Sequence, residues 1–284
     1  MKKAVFRVIF VSLLVAALLG GIFAYVAWRN ARETKVVFLD VGQGDAILIS
    51  QGGNQILIDG GRSGKVLLSG ISRQIPFWDR TIEAVVATHP DADHIGGFPE
   101  LLSRYRVGTY ISTSVRSESE VFALLERALE GSQGHTGRIV ARRGLSIALP
   151  KGGRLETLFP EDGEHVAGES NETSIVSRFS FGETDFLLTG DLPREELFLP
   201  EALPSEILKL AHHGSKHSSS DLFLSRVRPE EAVVSVGENK YGHPSPDVLS
   251  RVAAVGATVR RTDIDGDIVY RCLAHENRCV FSER

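Results

Sequence analysis

Thirteen residues, VVATHPDADHIGG from Val85 to Gly97, constrain this chain more than any others. An apolar strand ends there, and four potential metal ligands follow within six residues: His89, Asp91, Asp93 and His94. So many imidazoles and carboxylates on one loop repel one another unless a cation neutralises them. A divalent metal does so. Histidine and aspartate both ligate zinc, and carboxylates also suit manganese. Gly96 and Gly97 let the chain turn closely into the next helix. A solvated acidic loop capping a helix is the bland alternative.

Around this loop the sequence alternates strands and helices. KVVFLDVGQGDAILI and NQILIDGG read as strands ended by glycine turns, and TIEAVVAT as a buried strand. GGFPELLSRY begins a helix, and SESEVFALLERALE has helical spacing with a Ser/Glu start. Further strands are expected near LSIALP, RLETLFP, TSIVSRFSF, TDFLLTGD, SEILKLAHHG, EEAVVSVG, ATVRRTD and GDIVYRCL. Short helices fit DLPREELF, SSDLFLSRV and PDVLSRVAAV. Charged residues make up 24% and hydrophobic residues 42%, which excludes a disordered chain. With no repeat and no second linker, the pattern predicts one α/β domain over residues 36–284, with two packed sheets covered by helices.

The motif His-x-Asp-x-Asp-His resembles the metallo-β-lactamase signature, usually His-x-His-x-Asp-His, with Asp91 replacing the second histidine. Together with FLDVGQGDAILI, LIDGG, FLLTGD, LKLAHHGS and YGHPSP, it resembles the hydrolase domain of the ComEC/Rec2 competence proteins and their stand-alone relatives. The resemblance covers about residues 35–270. It implies an αββα sandwich with two metals at one edge. His89 and Asp91 would ligate the first metal, Asp93 and His94 the second, and Asp191 would bridge them. His213 would complete the second site, with His212 as its rival. Neighbouring residues on a strand face opposite ways, so one of the pair is expected to bind.

Relatives usually supply one more histidine to the first metal. Here the matching stretch is SNETSIV, where Asn171 or Ser174 offers oxygen; His165 is a weaker candidate. An oxygen-rich site favours manganese, with zinc as the other possibility. Asp59 resembles the superfamily's carboxylate that supports the metal loop. Asp40 and Asp45 divide evenly between turn-capping and facing the site. His243 resembles a substrate-contacting histidine that donates a proton to the leaving oxygen or binds phosphate. Lys209 and His212 are further candidates for substrate contact. Lys216 and His217 read as solvated surface, as do His135 and His275. TDIDGD lacks the remainder of a calcium loop and reads as a hairpin turn.

The N-terminus carries no charge from Val8 to Trp28, 21 residues, where a membrane-spanning helix needs about 20. Residues 1–28 are therefore expected to be a single-pass anchor, with 29–35 as linker; a cleaved signal would instead release the protein. Ala24 and Ala27 do not form the A-x-A cleavage pattern. Tyr25 and Trp28 would sit near the outer interface. Basic groups before the helix slightly favour an extracytoplasmic domain. Cys272 and Cys279 flank a polar turn and would form a disulfide outside the cytoplasm. The first 34 residues hold five basic groups and one acid, so the remainder has 27 basic against 35 acidic groups, net −8. That excludes a general nucleic-acid glove.

The leading function is a metal-dependent phosphodiesterase, a nuclease acting on DNA outside the membrane. Two metals roughly 3.5–4 Å apart hold a hydroxide and polarise a phosphoryl oxygen. The competing functions are another metallohydrolase, acting on a phosphocholine ester, small ester or lactam, and an inactive binding module. The multi-helix channel of the full competence proteins is not expected here, so DNA import is not implied.

Overall fold

Alternation in the first strand sets up two cores. In β1 (Thr34–Phe38), Val36 and Phe38 join one buried cluster and Val37 joins another, because successive strand side chains point to opposite faces. In β2 (Ile47–Gln51) and β3 (Asn54–Ile58), Ile47, Ile49, Ile56 and Ile58 follow Val36, while Leu48 and Leu57 follow Val37. The computed structural model describes residues 2–30, 33–132, 136–161, 170–273 and 275–282. His135 and His165 lie outside the described residues.

The other strands, in chain order, are β4 (Thr81–Ala87), β5 (Arg106–Ser112), β6 (Gly137–Val140), β7 (Ser146–Ala148), β8 (Arg154–Phe159), β9 (Val176–Phe181), β10 (Thr184–Leu188), β11 (Ile207–Lys209), β12 (Glu231–Val234), β13 (Thr258–Arg261), β14 (Ile268–Leu273) and β15 (Arg278–Phe281). The first sheet runs β15-β14-β1-β2-β3-β4-β5-β6 and the second β13-β12-β11-β10-β9-β8-β7. Ile49, Ile56 and Val86 from the first sheet meet Phe179, Phe186 and Ile207 from the second in one core. The helices are α1 (Lys2–Asn30), α2 (Gly64–Gln74), α3 (Ala92–Ile95), α4 (Phe98–Arg104), α5 (Glu120–Gly131), α6 (Asp221–Val227), α7 (Pro246–Ala254) and α8 (Thr262–Asp265). α2, α4 and α5 cover the outer face of the first sheet through Leu67, Ile71, Phe98, Leu101, Leu125 and Leu129. α6 and α7 cover the second through Phe223, Leu224, Val248 and Val252. The result is the expected αββα sandwich.

Two local expectations change. TDIDGD is the one-turn helix α8, which links β13 of one sheet to β14 of the other and so joins no hairpin. Asp267 accepts from the Arg73 and Gln74 side chains and from the Asp40 backbone. DLPREELF shortens to a single 3-10 turn, Glu195–Leu197. β1 starts at Thr34, which pairs with both Gln51 and Cys272. Cys272 faces Cys279 across the β14–β15 ladder and the two form a disulfide.

α1 is a candidate membrane span. Its window Val5–Ile22 has mean hydropathy 2.5, and Leu13, Leu14, Leu18 and Leu19 all stand exposed. At 1.5 Å per residue, its 29 residues reach about 43 Å, more than a hydrocarbon core of about 30 Å requires.

The loop that follows His213 is pinned from below by Glu195. This carboxylate is fully buried and accepts the Ser219 backbone N–H on both oxygens, at 3.0 and 2.9 Å. Burial raises its pKa from 4.5 to about 7. Folding therefore takes up a proton between those values. The contribution of Glu195 to stability is fully present below pH 4.5 and is lost as pH rises through about 7. Glu195→Gln keeps one of the two acceptor oxygens and removes the titration. Relative to wild type, the variant should gain up to about 3 kcal/mol between pH 4.5 and pH 8 in denaturant unfolding. A parallel pH dependence in the two proteins would rule this out.

Candidate metal centre

The centre forms where β3, β4, β10 and β11 end. β4 delivers His89, and α3 carries Asp93 and His94 directly after Asp91. Two glycines allow the surrounding loops to close. A Cβ on Gly44 would lie 2.2 Å from the Asp93 carbonyl oxygen, and one on Gly97 would lie 2.1 Å from the Gly60 carbonyl oxygen. The Asp45 backbone N–H donates to that same Asp93 carbonyl. β10 leads to Asp191, and β11 leads to a turn bearing His212 and His213. Both histidines hold left-handed backbone, φ 49 and φ 54. Non-glycine residues adopt such angles at a cost of order 1–3 kcal/mol each, met by the surrounding structure.

Three imidazoles converge with their tautomers fixed. His94 Nδ1 lies 2.8 Å from Asp59 Oδ2 and His213 Nδ1 lies 2.8 Å from the Ser235 carbonyl. Both partners are acceptors, so each Nδ1 is the donor. Thr88 donates its hydroxyl to Asp59 at 2.7 Å and so accepts from His89 Nδ1 at 3.0 Å. Each ring therefore turns an Nε2 lone pair into the centre. Among the described residues all three Nε2 atoms are buried without a hydrogen-bond partner. Asp191 Oδ2 is the hub, 3.2 Å from His94 Nε2 and 3.4 Å from His213 Nε2. Asp93 Oδ2 is 3.6 Å from His213 Nε2, and Asp91 Oδ2 is 3.7 Å from His89 Nε2. Donor atoms of His89, His94 and Asp191 lie within 4.8 Å of one another, as do those of Asp93, His94 and His213.

Charge follows from this packing. Asp45, Asp59, Asp91, Asp93 and Asp191 surround the centre, and the only buried ammonium among the described residues is Lys209. Lys209 pairs with Asp45 and with Asp191 and donates to the Gly190 carbonyl at 2.8 Å. Burial disfavours charge on His94, yet Asp191 and Asp59 outweigh it and hold its pKa well above the ordinary value. Burial likewise opposes His213, which Asp191 and Asp45 raise to about 9. Burial opposes ionisation of Asp191 too, but His213, His94 and Lys209 hold it well below the usual carboxylate range. His89, farther from these carboxylates, is lowered to about 3 by burial and by His94. A field that draws protons to buried Nε2 atoms draws a divalent cation equally. The residues present therefore fit a metal.

Sequence reasoning placed some side chains wrongly. Lys209, expected at the substrate surface, is fully buried, its ammonium paired with two carboxylates. His212 and His213 do not alternate on a strand, because both occupy the turn after β11. His213 is buried among the ligands; His212 is partly exposed, 3.9 Å from Asp191. Ser174 Oγ accepts the Asp191 backbone N–H and lies 3.4 Å from His89 Nδ1, so it supports the far side of that ring. Asn171 Nδ2 is 3.4 Å from His212 Nδ1, and among the described residues its Oδ1 has no hydrogen-bond partner. Asp40 caps its own turn through the Gly42 N–H. Asp45, left between turn-capping and facing the site, faces it: its carboxylate pairs with Lys209 and lies 3.5 Å from His213 Nδ1. His243 lines the rim, its ring 5.3 Å from His212.

Two packed sheets with His and Asp gathered at their edge define a metallohydrolase fold. The chain belongs to the Metallo-beta-lactamase superfamily, which matches residues 39–238. It is 29% identical to ComE operon protein 3 of Bacillus subtilis over 262 residues, covering 84% of this chain and 33% of that protein. It is 30% identical to Recombination protein 2 of Haemophilus influenzae, covering 81% and 28%. The chain thus spans about a third of the length of these curated relatives. Among solved structures, it superposes on the metallo-beta-lactamase fold protein YhfI from Bacillus subtilis with a TM-score of 0.59 at 13% identity, covering 84% of this chain and all of that one.

Proposed function

We propose that the chain is a phosphodiesterase, a nuclease for DNA, that works with two divalent cations. One would be held by His89 and Asp91, the other by Asp93, His94 and His213, with Asp191 between them. The observation that carries this reading is charge. With the imidazoles neutral, as they must be to ligate a metal, five carboxylates and one ammonium leave −4 at the centre, the charge that two divalent cations neutralise, and three buried imidazole Nε2 atoms face it. Bound there, the cations would polarise a phosphoryl oxygen and lower the pKa of the attacking water. Asp59 orients His94, Thr88 and Ser174 orient His89, and Lys209 restrains Asp191. The name of Recombination protein 2 supports DNA as the phosphodiester. We further read α1 as an anchor in the cell membrane with the centre outside the cytoplasm, which the Cys272–Cys279 disulfide supports.

The test combines metal analysis with hydrolysis of single-stranded DNA, duplex DNA, RNA, bis-nitrophenyl phosphate and nitrocefin, each with Mn2+ and Zn2+. Two cations per chain and cleavage of DNA are expected, with Mn2+ at least as effective as Zn2+. Opening of nitrocefin without phosphodiester cleavage would replace the nuclease by another hydrolase. No turnover with either metal would favour a binding module.

His243 supplies a milder effect. Burial, and next the neighbouring His212, lower it to about 4. Neutral near pH 7, it offers substrate a hydrogen bond rather than a charged donor. His243→Ala should reduce kcat/KM by about 10²-fold, the low end of the range for a general acid. Metal content should stay at the wild-type level. Loss of metal in this variant would make His243 a ligand instead.

A further inference from the structure

The end of the sandwich remote from the metal centre carries an exposed aromatic pair. Phe77 and Trp78, between α2 and β4, are 77% and 53% exposed, with rings 4.9 Å apart edge to face. Single exposed apolar residues are ordinary, whereas adjoining large aromatics on one loop mark a contact surface. Three arginines stand exposed beside them: Arg80, Arg104 and Arg106. Arg80 lies over the Tyr105 ring at 5.2 Å, and Arg104 pairs with Glu100. The nearby Asp79 carboxylate is occupied by the Thr81 backbone and the Gln55 amide.

This loop stands at the end of the domain that α1 enters. Asn30 and Thr34 are four residues apart, so the chain between them reaches at most about 14 Å. Thr34 is tied to Gln51, and the adjoining turn is tied through Gln55 to Asp79. β1, β2, β3 and β4 are consecutive neighbours, so the loop before β4 lies about 14 Å across the sheet from Thr34. β4 then runs away from it. From Thr81 to His89 the rise is about 26 Å, which puts the metal centre at the opposite end.

We propose that the Phe77–Trp78 loop inserts into the interfacial layer of the bilayer that holds α1, with Arg80 and Arg106 toward its anionic headgroups. The inference rests on the anchor reading of α1. Tryptophan favours that layer because its ring is apolar with one polar edge. Loop and helix together seat the sandwich with the metal centre facing water. A centre about 26 Å from the loop does not reach lipid headgroups. Its substrates therefore come from the aqueous phase, which argues against a membrane phosphocholine ester.

The chain has two tryptophans, Trp28 in α1 and Trp78 in the loop, so each can be made the sole fluorescent reporter. The full chain would be reconstituted into phosphatidylcholine–phosphatidylglycerol vesicles, with or without lipids brominated near the headgroup end of the acyl chain. In Trp28→Phe, bromolipid should quench most of the Trp78 emission, and aqueous iodide should quench little. Phe77→Ser in that background should reverse both. In Trp78→Phe, quenching of Trp28 reports on the anchor alone. A quenched Trp28 with an unquenched Trp78 overturns the proposal and leaves the anchor standing. If neither is quenched, both fail. Shielding of Trp78 from iodide without bromolipid quenching would mean a protein partner or a second copy covers the loop, and also overturns the proposal.

Discussion

Asp93→Ala is expected to bring phosphodiester hydrolysis to background while the protein stays folded. The two consequences separate because different atoms carry them. The Asp93 backbone carbonyl accepts the Asp45 N–H that closes the loop, and alanine keeps that carbonyl. The carboxylate is 21% exposed and lies 3.6 Å from His213 Nε2, within the Asp93, His94 and His213 donor set. Burial disfavours its charge, but the His213 hydrogen bond and His94 outweigh that and hold its pKa below the ordinary carboxylate value. The side chain is thus committed to negative charge at the centre and to no packing role. Without it one donor set is broken, and the chemistry assigned to the second cation goes with it. The measurements are cleavage of single-stranded DNA and of bis-nitrophenyl phosphate, bound metal per chain, and circular dichroism. A wild-type rate in a folded variant would end the two-cation reading.

Much of this arrangement was legible in the chain because it follows from local pattern. His89, Asp91, Asp93 and His94 come from one loop after an apolar strand, and sequence spacing alone brings them together. The αββα layering follows from short, nearly continuous apolar runs such as VVFL and ILIS, whose strands are covered on both faces. Ser119 as a helix start is visible in SESE, and its side chain does accept from Phe122 N–H. α2 was illegible for the opposite reason. GKVLLSGISRQ has two glycines and no capping bond at its first residue, and its helix depends on burying Leu67 and Ile71 against the first sheet. β5 was hidden by Gly108 within RVGTYIS, tolerated because a Cβ there would lie 2.7 Å from the Glu83 carbonyl of the neighbouring strand.

The remaining errors concern residues whose role depends on what lies across the fold. His212 and His213 looked like neighbours on a strand; two left-handed residues instead set them on a turn, His213 buried among the ligands and held by the Ser235 carbonyl, His212 at the rim with its N–H on the Gly190 carbonyl. Asp45 belongs to the centre because Gly44 lets its loop pack on Asp93, a contact 48 residues apart in sequence. Lys209 carried a usable signal. A single lysine between leucines in ILKL, on a strand with both faces covered, must be buried and paired or the strand would not form.

That pairing makes Lys209→Met the variant with the largest expected loss of stability. The ammonium is fully buried; burial opposes its charge, yet Asp45 and then Asp191 outweigh burial and raise its pKa. It therefore remains a cation across the working range of pH. Methionine fills similar space but leaves both carboxylates buried without their counter-charge. Removing one partner of a buried pair costs about 3–5 kcal/mol, and the cost should appear in full when unfolding is measured in chelator. The five carboxylates would then carry −5, so the variant gains more from a divalent cation than wild type does. A site saturated to 100 times its dissociation constant contributes about 2.7 kcal/mol. With Mn2+ the gap between the two proteins should accordingly narrow. If the gap is the same in chelator and in Mn2+, Lys209 stabilises the fold without balancing the metal centre. If the variant is as stable as wild type in chelator and only KM for DNA rises, Lys209 contacts substrate after all, and the buried position assigned to it is wrong.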